Sequence, residues 1–381
     1  MAGKPKKIRI LLTGGGTGGH IYPLVAVARH LSKLIIEAGF DADIRYFGDP
    51  ANFKFYLEDN DIRIVKIASS KWRRYFDIKN FLDIFKFFWG LIQGLWKIYW
   101  FMPQICFSKG GPGALAVIVV SRFYAIPLVI HESDAVPGLT NKYSSKTARV
   151  IELAFAGAKG YFKTKAEMHL VGNPVRQEIL NAPTDKMVKA EFGFNPDQPV
   201  VLVIGGSQGA ERLNDFVFEN LRAFAQKFQI LHQVGPNNFA GYKKEYDFMY
   251  GREADLKNRY IFVPYFDKNI GKAYAAADVI VGRGGASTIF EVAALGKPSI
   301  LIPLPESANN HQVHNAYEYE KAGGGIVIEE ENLLVGLLIT QIEKILADKN
   351  SYASRSQAAR NFYIPDSAKM IADDILQLIL K

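Results

Sequence analysis

One device occurs twice in this chain, and it limits the folds available. An apolar run at residues 8–13 leads into Gly14-Gly15-Gly16-Thr17-Gly18-Gly19-His20, after which Val25, Ala28, Leu31, Leu34 and Ile35 recur at helical spacing. Residues 199–204 lead in the same way into Gly205-Gly206-Ser207-Gln208-Gly209-Ala210, followed by Leu213, Phe216, Val217 and Leu221. Further apolar runs read as strands at 44–47, 62–67, 105–107 and 128–131. In the second half they fall at 230–234, 261–264, 279–281, 299–302 and 325–328. Near-continuous apolar strands alternating with helices imply parallel sheets covered on both faces. The expected class is therefore α/β, with two doubly wound, Rossmann-like domains. A chain of 381 residues suits that number.

The junction is expected near 172–185, where Gly172, Asn173, Pro174 and Pro183 punctuate the chain. This assigns residues 1–178 to a first domain and 179–364 to a second. The tail at 365–381 carries Met370, Ile371, Ile375, Leu378 and Ile379, an amphipathic helix expected to pack back on the first domain. Ligands of open parallel sheets sit beyond the carboxyl ends of the strands. Two such domains facing across a cleft would join two substrates, one from each.

Composition removes other classes. A single cysteine, Cys106, excludes an internal disulfide framework and any multi-cysteine zinc site. The basic start at residues 1–7 runs into a strand carrying Arg9 and then a glycine cluster, unlike a signal peptide. No uncharged apolar run reaches the length of about 18 residues that a spanning helix needs. The nearest, 87–101, is interrupted by Gln93 and Lys97. A net charge of +8 favours polyanions or anionic membranes without choosing between them.

The first glycine loop fits G-x-G-x-x-G at Gly14, Gly16 and Gly19. Asp49, the acidic residue closing the next strand, comes later than a dinucleotide fold expects. His20 at the helix start reads as a general base or as part of a tight, capped turn. The second loop, lacking the Gly-Lys-Ser/Thr ending of a P-loop, offers an anion site at a helix N-terminus around Ser207. Residues 279–291 repeat a strand, a glycine turn and a helix. There Thr288-x-x-Glu291 has the spacing of a capping box, while Glu291 is also suited to holding ribose hydroxyls. Asp41-Ala42-Asp43 starts a strand, the wrong end for a ligand, and the histidines show no metal-ligand spacing, so no metal site is expected.

Residues 71–102 hold all four tryptophans, interleaved with Lys71, Arg73, Arg74, Lys79, Lys86 and Lys97. Phe81, Phe85, Phe88, Ile92 and Leu95 form a helical stripe, and with Trp72, Arg73, Arg74 and Trp89 this reads as an interfacial membrane element. The alternative is a helix buried on the sheet with a basic edge. No nucleic-acid-binding module is visible.

Together these segments resemble the MurG family of bacterial UDP-N-acetylglucosamine transferases. The resemblance runs through residues 14–23, then His131-Glu132 with Val136-Pro137-Gly138-Leu139-Thr140-Asn141. It continues through Gly172-Asn173-Pro174-Val175-Arg176, Gly205 to Ala210, residues 283–291 and 311–316, in family order. It implies a GT-B architecture with the lipid acceptor on the first domain and the nucleotide-sugar donor on the second. By resemblance, Arg176 and Ser207 would hold the donor's phosphate and uridine end, and the backbone at Phe266-Asp267 would read uracil. Ala286, Ser287 and Thr288 would line the sugar-phosphate, Glu291 the ribose and Gln312 the sugar hydroxyls, with Thr17, Gly18 and Gly19 bordering the sugar. Asn141 belongs to the acceptor side. Two segments depart from the family: His131-Glu132-Ser133-Asp134 stands where His-Glu-Gln-Asn is common, and Lys109-Gly110-Gly111-Pro112-Gly113 lacks the usual tyrosine. Asp134 can accept a hydrogen bond from a sugar hydroxyl but cannot donate one.

The resemblance implies inverting transfer of N-acetylglucosamine from UDP-N-acetylglucosamine to the muramyl 4-hydroxyl of lipid I, forming lipid II for peptidoglycan synthesis. His20 is the expected base, with Glu132 a second candidate, and no cofactor is required, although a divalent cation could assist. The expected location is the cytoplasmic face of the bacterial plasma membrane, as a peripheral protein on an anionic surface, without nucleic acid. Rival readings are a related glycolipid-forming transferase or UDP-sugar epimerase on the same fold, an NAD-linked oxidoreductase, and a non-catalytic membrane scaffold.

Overall fold

A computed structural model describes residues 6–69, 78–183, 187–206 and 209–380, with backbone only over 78–82. Trp72, Arg73, Arg74 and Ser207 lie outside the described residues. The chain divides into two compact units, Met1–Val175 with Ile364–Lys381, and Arg176–Tyr363.

The first unit holds a parallel sheet of β1 (Lys7–Thr13), β2 (Asp41–Phe47), β3 (Arg63–Val65), β4 (Ile105–Ser108), β5 (Leu128–Glu132), β6 (Val150–Leu153) and β7 (Glu167–Leu170). Its spatial order is β3-β2-β1-β4-β5-β6-β7. Along β1, Ile8, Ile10 and Leu12 face one core with Leu24, Ala28 and Leu31, while Leu11 faces another with Cys106 and Ile130. Both faces are covered, so these strands lack the polar alternation of a half-exposed sheet. The helix Ser367–Leu380 returns to this unit and buries Ile371, Ala372 and Ile375 in the core of the helix Gly18–Glu37.

The second unit holds β8 (Val200–Ile204), β9 (Gln229–Gln233), β10 (Tyr260–Val263), β11 (Val279–Gly282), β12 (Ser299–Leu301) and β13 (Gly325–Val327), in the order β10-β9-β8-β11-β12-β13. Every described pairing in both sheets is parallel. Strand order reverses beside β1 in the first sheet and beside β8 in the second. These are the topological switch points where such sheets bind ligands, and each glycine loop sits at one.

Two strands escape a reading by apolar runs. β6 carries Glu152, fully buried, and β7 is an edge strand carrying Glu167 and His169. Asp41 begins β2 and pairs with Lys7, a solvated strand entry, as its position indicates.

Candidate active site

In the first unit the switch point lies between β1 and β4. Thr17 is the N-cap of the helix Gly18–Glu37, yet its side chain makes no capping hydrogen bond. Instead its Oγ1 lies 2.8 Å from His20 Nδ1. The imidazole packs between glycines of two loops. A Cβ on Gly15 would stand 2.9 Å from Nδ1, and one on Gly111 would stand 3.2 Å from Nε2. Gly111 also has φ +84°, so glycine is required there twice over. In the tautomer that donates Nδ1–H to Thr17 Oγ1, Nε2 holds the lone pair that a general base needs. Thr17 and Gly19 are exposed, while Gly18 is buried against the Tyr22 ring.

Behind His20 lies a buried polar cluster that joins the two segments departing from the family pattern. Lys109, which follows β4, donates from Nζ to His131 Nδ1, to Ser133 Oγ at 2.5 Å and to Asn173 Oδ1 at 3.2 Å. Burial brings the Lys109 pKa down to about 7, against the opposing pull of Glu132 and Asp134. Burial, and then the Lys109 charge, push His131 well below its usual range. His131 is thus neutral, accepting at Nδ1 and donating from Nε2 to Gly172 O at 2.9 Å.

Glu132 is buried and braces the next loop. Its carboxylate accepts from Asp134 N at 3.0 Å, Gly138 N at 3.2 Å and Asn141 Nδ2 at 2.9 Å. Burial and the Asp134 charge raise its pKa, while the three donors oppose that rise. With both oxygens engaged, Glu132 is poorly placed to take a proton. Asn141 is buried beside it and also donates to His131 O at 3.1 Å, and Asp134 is half-buried.

In the second unit, Gly206 and Gly209 hold φ +86° and +83°, and a Cβ on Gly209 would stand 2.5 Å from Val234 O. Gln233 at the end of β9 donates to Gly206 O and accepts from Phe266 N, both at 2.9 Å. One amide thereby fixes the glycine loop to the Phe266-Asp267 segment. Phe266 is buried edge-on against Phe192, and Asp267 is exposed.

The helix Ala286–Leu295 starts at the switch point beside β11, with Gly285 as its N-cap. This corrects the capping-box reading. Thr288 is already inside the first turn, too late to be a cap, and Glu291 lies beyond the reach of an N-terminal amide. The amides of Ala286, Ser287 and Thr288 have no intrahelical acceptor and offer an anion site with the helix dipole behind it. Glu291 is instead buried against two other side chains. Its Oε1 accepts from Arg176 Nε at 2.9 Å and forms an ion pair with Nη2 at 2.9 Å, and its Oε2 accepts from Tyr274 Oη at 2.9 Å. A carboxylate offers about four acceptor positions, so one on Oε2 remains for a ligand hydroxyl. Gln312 accepts from Leu304 N at 3.1 Å through Oε1, which leaves its Nε2 to donate. Gly284 makes room for Gln312, whose carbonyl would lie 2.3 Å from a Cβ there.

The helix Ile78–Phe101 is the third feature, and its outward face is aromatic. Phe85, Phe88, Trp89, Ile92, Trp96, Tyr99 and Trp100 are exposed, whereas Gly90, Gly94, Ile98 and Phe101 face inward. Side chains at 78–82, Phe81 included, lie outside the description. Among the described residues no helix is long and apolar enough to cross a membrane.

The sequence matches the glycosyltransferase family 28 N-terminal domain over residues 10–152 and the glycosyltransferase family 28 C-terminal domain over residues 200–374. It is 33% identical over 354 residues to the UDP-N-acetylglucosamine–N-acetylmuramyl-(pentapeptide) pyrophosphoryl-undecaprenol N-acetylglucosamine transferase of Legionella pneumophila (strain Paris), covering 92% of each chain. A protein of the same name from Clostridium tetani is 32% identical over 379 residues, 98% of each chain. The chain belongs to the MurG family of glycosyltransferases. In fold it is similar to the crystal structure of Acinetobacter baumannii MurG, with a TM-score of 0.71 and 24% identity over 97% of this chain and 99% of that one. The two parallel-sheet domains are those of the GT-B fold, and membership sets aside the nicotinamide-linked and non-catalytic alternatives.

Lys109, His131, Asn173, Gln233 and Tyr274 were not singled out as site residues by the sequence. Lys109 left a signal there as a departure from the family loop, and His131 and Asn173 stood within segments that carry the resemblance, whereas Gln233 and Tyr274 left none.

Proposed function

We propose that the chain transfers N-acetylglucosamine from UDP-N-acetylglucosamine to the muramyl 4-hydroxyl of lipid I, with inversion, to give lipid II for peptidoglycan. The observation that carries this reading is that relatives bearing this activity in their names align over 92–98% of the chain. On the acceptor side, His20 Nε2 takes the hydroxyl proton as the oxygen attacks the anomeric carbon. The bond from that carbon to the UDP β-phosphate oxygen breaks in line. Thr17, Gly18 and Gly19 border the transferred sugar, Asp134 accepts from one of its hydroxyls, and Glu132 and Asn141 hold the acceptor loop in shape.

On the donor side, the charge developing on UDP is met by the Ala286-Ser287-Thr288 amides, Ser207 and Arg176. The Phe266-Asp267 backbone reads uracil. Glu291 accepts from a single ribose hydroxyl through its remaining lone pair, and Gln312 Nε2 donates to the sugar. The scheme needs no tightly held metal.

The exposed aromatic face, with Lys86 and Lys97 on the same helix, supports a peripheral location on an anionic membrane, at the cytoplasmic leaflet. Incubation with UDP-N-acetylglucosamine and a short-chain lipid I analogue tests the reading. A β-linked disaccharide product and equimolar UDP are expected. Glycosylation of diacylglycerol instead, or epimerisation of the donor without transfer, would refute it.

A further inference from the structure

Away from the glycine loops, a row of polar residues crosses two buried strands and an edge strand in register. His131 on β5 pairs with Glu152 on β6, and Glu152 pairs with His169 on β7. His131 is accounted for by Lys109 and Gly172. Glu152 is not. Its side chain is 0% exposed, and neither carboxylate oxygen has a hydrogen-bond partner. A buried carboxyl without a donor is among the costlier things a core can hold, unless something compensates it.

Burial, and then the charge of Asp374, raise its pKa, so without an ion it holds a proton, and its surroundings show what would take that proton's place. His169 Nδ1 lies 3.9 Å from Glu152 Oε1 and 2.7 Å from Asp374 Oδ2, the last contributed by the C-terminal helix. The three donor atoms lie within 4.8 Å of one another. Bonds of about 2.0–2.2 Å from one central ion to imidazole nitrogen and carboxylate oxygen would span such separations after small side-chain adjustments. The other ring nitrogen, Nε2, lies 3.9 Å from Glu167 Oε2. His169 and Asp374 are 39% and 24% exposed, so the cluster opens to water on one side, through which an ion could enter and complete its coordination.

We propose that Glu152, His169 and Asp374 form a divalent transition-metal site of the zinc type, which fastens the C-terminal helix to the edge of the first sheet. One nitrogen and two oxygens favour zinc or its first-row neighbours over magnesium or calcium, which prefer oxygen throughout. The ion ties residues of β6 and β7 to a helix reached only after the chain has built the whole second unit. Its role is to stabilise that return, and the inference is independent of the donor and acceptor assignments above.

The full-length protein, freed of metal by chelation and dialysis, is titrated with zinc and separately with magnesium by calorimetry. Thermal melting is followed in parallel. The expected result is one zinc per chain, no saturable magnesium binding, and a melting temperature that rises with zinc. Glu152→Gln and Asp374→Asn keep the side-chain volumes and should each weaken zinc binding about tenfold or more. His169→Gln should do the same, and cobalt in the wild type should give a visible ligand-field spectrum that all three variants lose. Absence of saturable zinc binding, equal affinity for magnesium, or zinc binding unchanged in Glu152→Gln overturns the proposal. A folded wild type that transfers sugar normally and yet binds no zinc would sink this site alone and leave the proposed function standing.

Discussion

Thr17→Val isolates the orientation of His20 from everything else in the first glycine loop. Valine matches threonine in shape and removes only the hydroxyl that lies 2.8 Å from His20 Nδ1. Because the Thr17 side chain makes no capping hydrogen bond, the helix Gly18–Glu37 loses no cap, and melting should be nearly unchanged. A single hydrogen bond at a partly exposed site contributes about 0.5–1.5 kcal/mol. Spent on holding the ring in its productive tautomer, that predicts a fall in kcat of about two- to twelvefold. His20→Ala removes the base itself and should cost about 10²–10⁴. Both variants should bind UDP as the wild type does, because Arg176, Glu291 and the Ala286–Leu295 helix belong to the other unit. Steady-state transfer with a lipid I analogue and UDP calorimetry measure the two quantities. Wild-type turnover in His20→Ala, or an equal loss of UDP affinity in both variants, would refute the assignment of His20 as base.

Lys109→Met tests the buried ammonium. The native Lys109 pKa is about 7 and its ordinary value is 10.5, so between these pH values the unfolded chain holds a proton that the native one has released. Wild-type stability should therefore rise with pH across that window, by about 1.4 kcal/mol per unit relative to the variant, and show no such difference below pH 7. Native-state amide exchange of β4 and β5 reads this, and parallel pH profiles in the two proteins would contradict it. Glu291→Ala should abolish discrimination between UDP and its 2′,3′-dideoxy analogue, which the wild type should make by about tenfold, the worth of one charge-assisted hydrogen bond. Replacing Phe88, Trp89 and Trp96 together by serine should leave transfer to a soluble acceptor analogue intact while abolishing sedimentation with anionic vesicles. Wild-type binding should weaken as salt rises, and unchanged vesicle binding in the triple variant would place the contact elsewhere.

The parts of the fold legible in the sequence were those where one segment carries its own instruction. β1 and β8 are apolar runs that end in glycine, and the loops after them lie at the switch points. β6 and β7 were illegible because Glu152 and His169 break the apolar pattern of parallel strands, and the residue that approaches both, Asp374, lies far along the chain. The capping box at Thr288 has the right spacing, but the helix is capped at Gly285 and starts at Ala286, and no local rule announces that shift. Lys109 meets His131 and Asn173 across 22 and 64 residues, separations at which periodicity conveys nothing. The stripe of Phe85, Phe88 and Ile92 was visible, but which way it faces depends on two glycines.

Those glycines carry a consequence of their own. In the helix Ile78–Phe101, a Cβ on Gly90 would stand 2.4 Å from Ala68 O, and one on Gly94 would stand 3.1 Å from a Val120 methyl. At Gly90 the helix is seated so low that a methyl group does not fit beneath it, and at Gly94 one fits only if Val120 gives way, while Ile98 and Phe101 fill the space further along. It therefore cannot roll about its axis to trade its outer face for its inner one, since that would drive tryptophan and phenylalanine rings into a space that excludes a methyl group. Solvent aversion at this face has no internal remedy. Among the described residues nothing screens these rings, and left bare they are the first place where copies of the protein should adhere to one another.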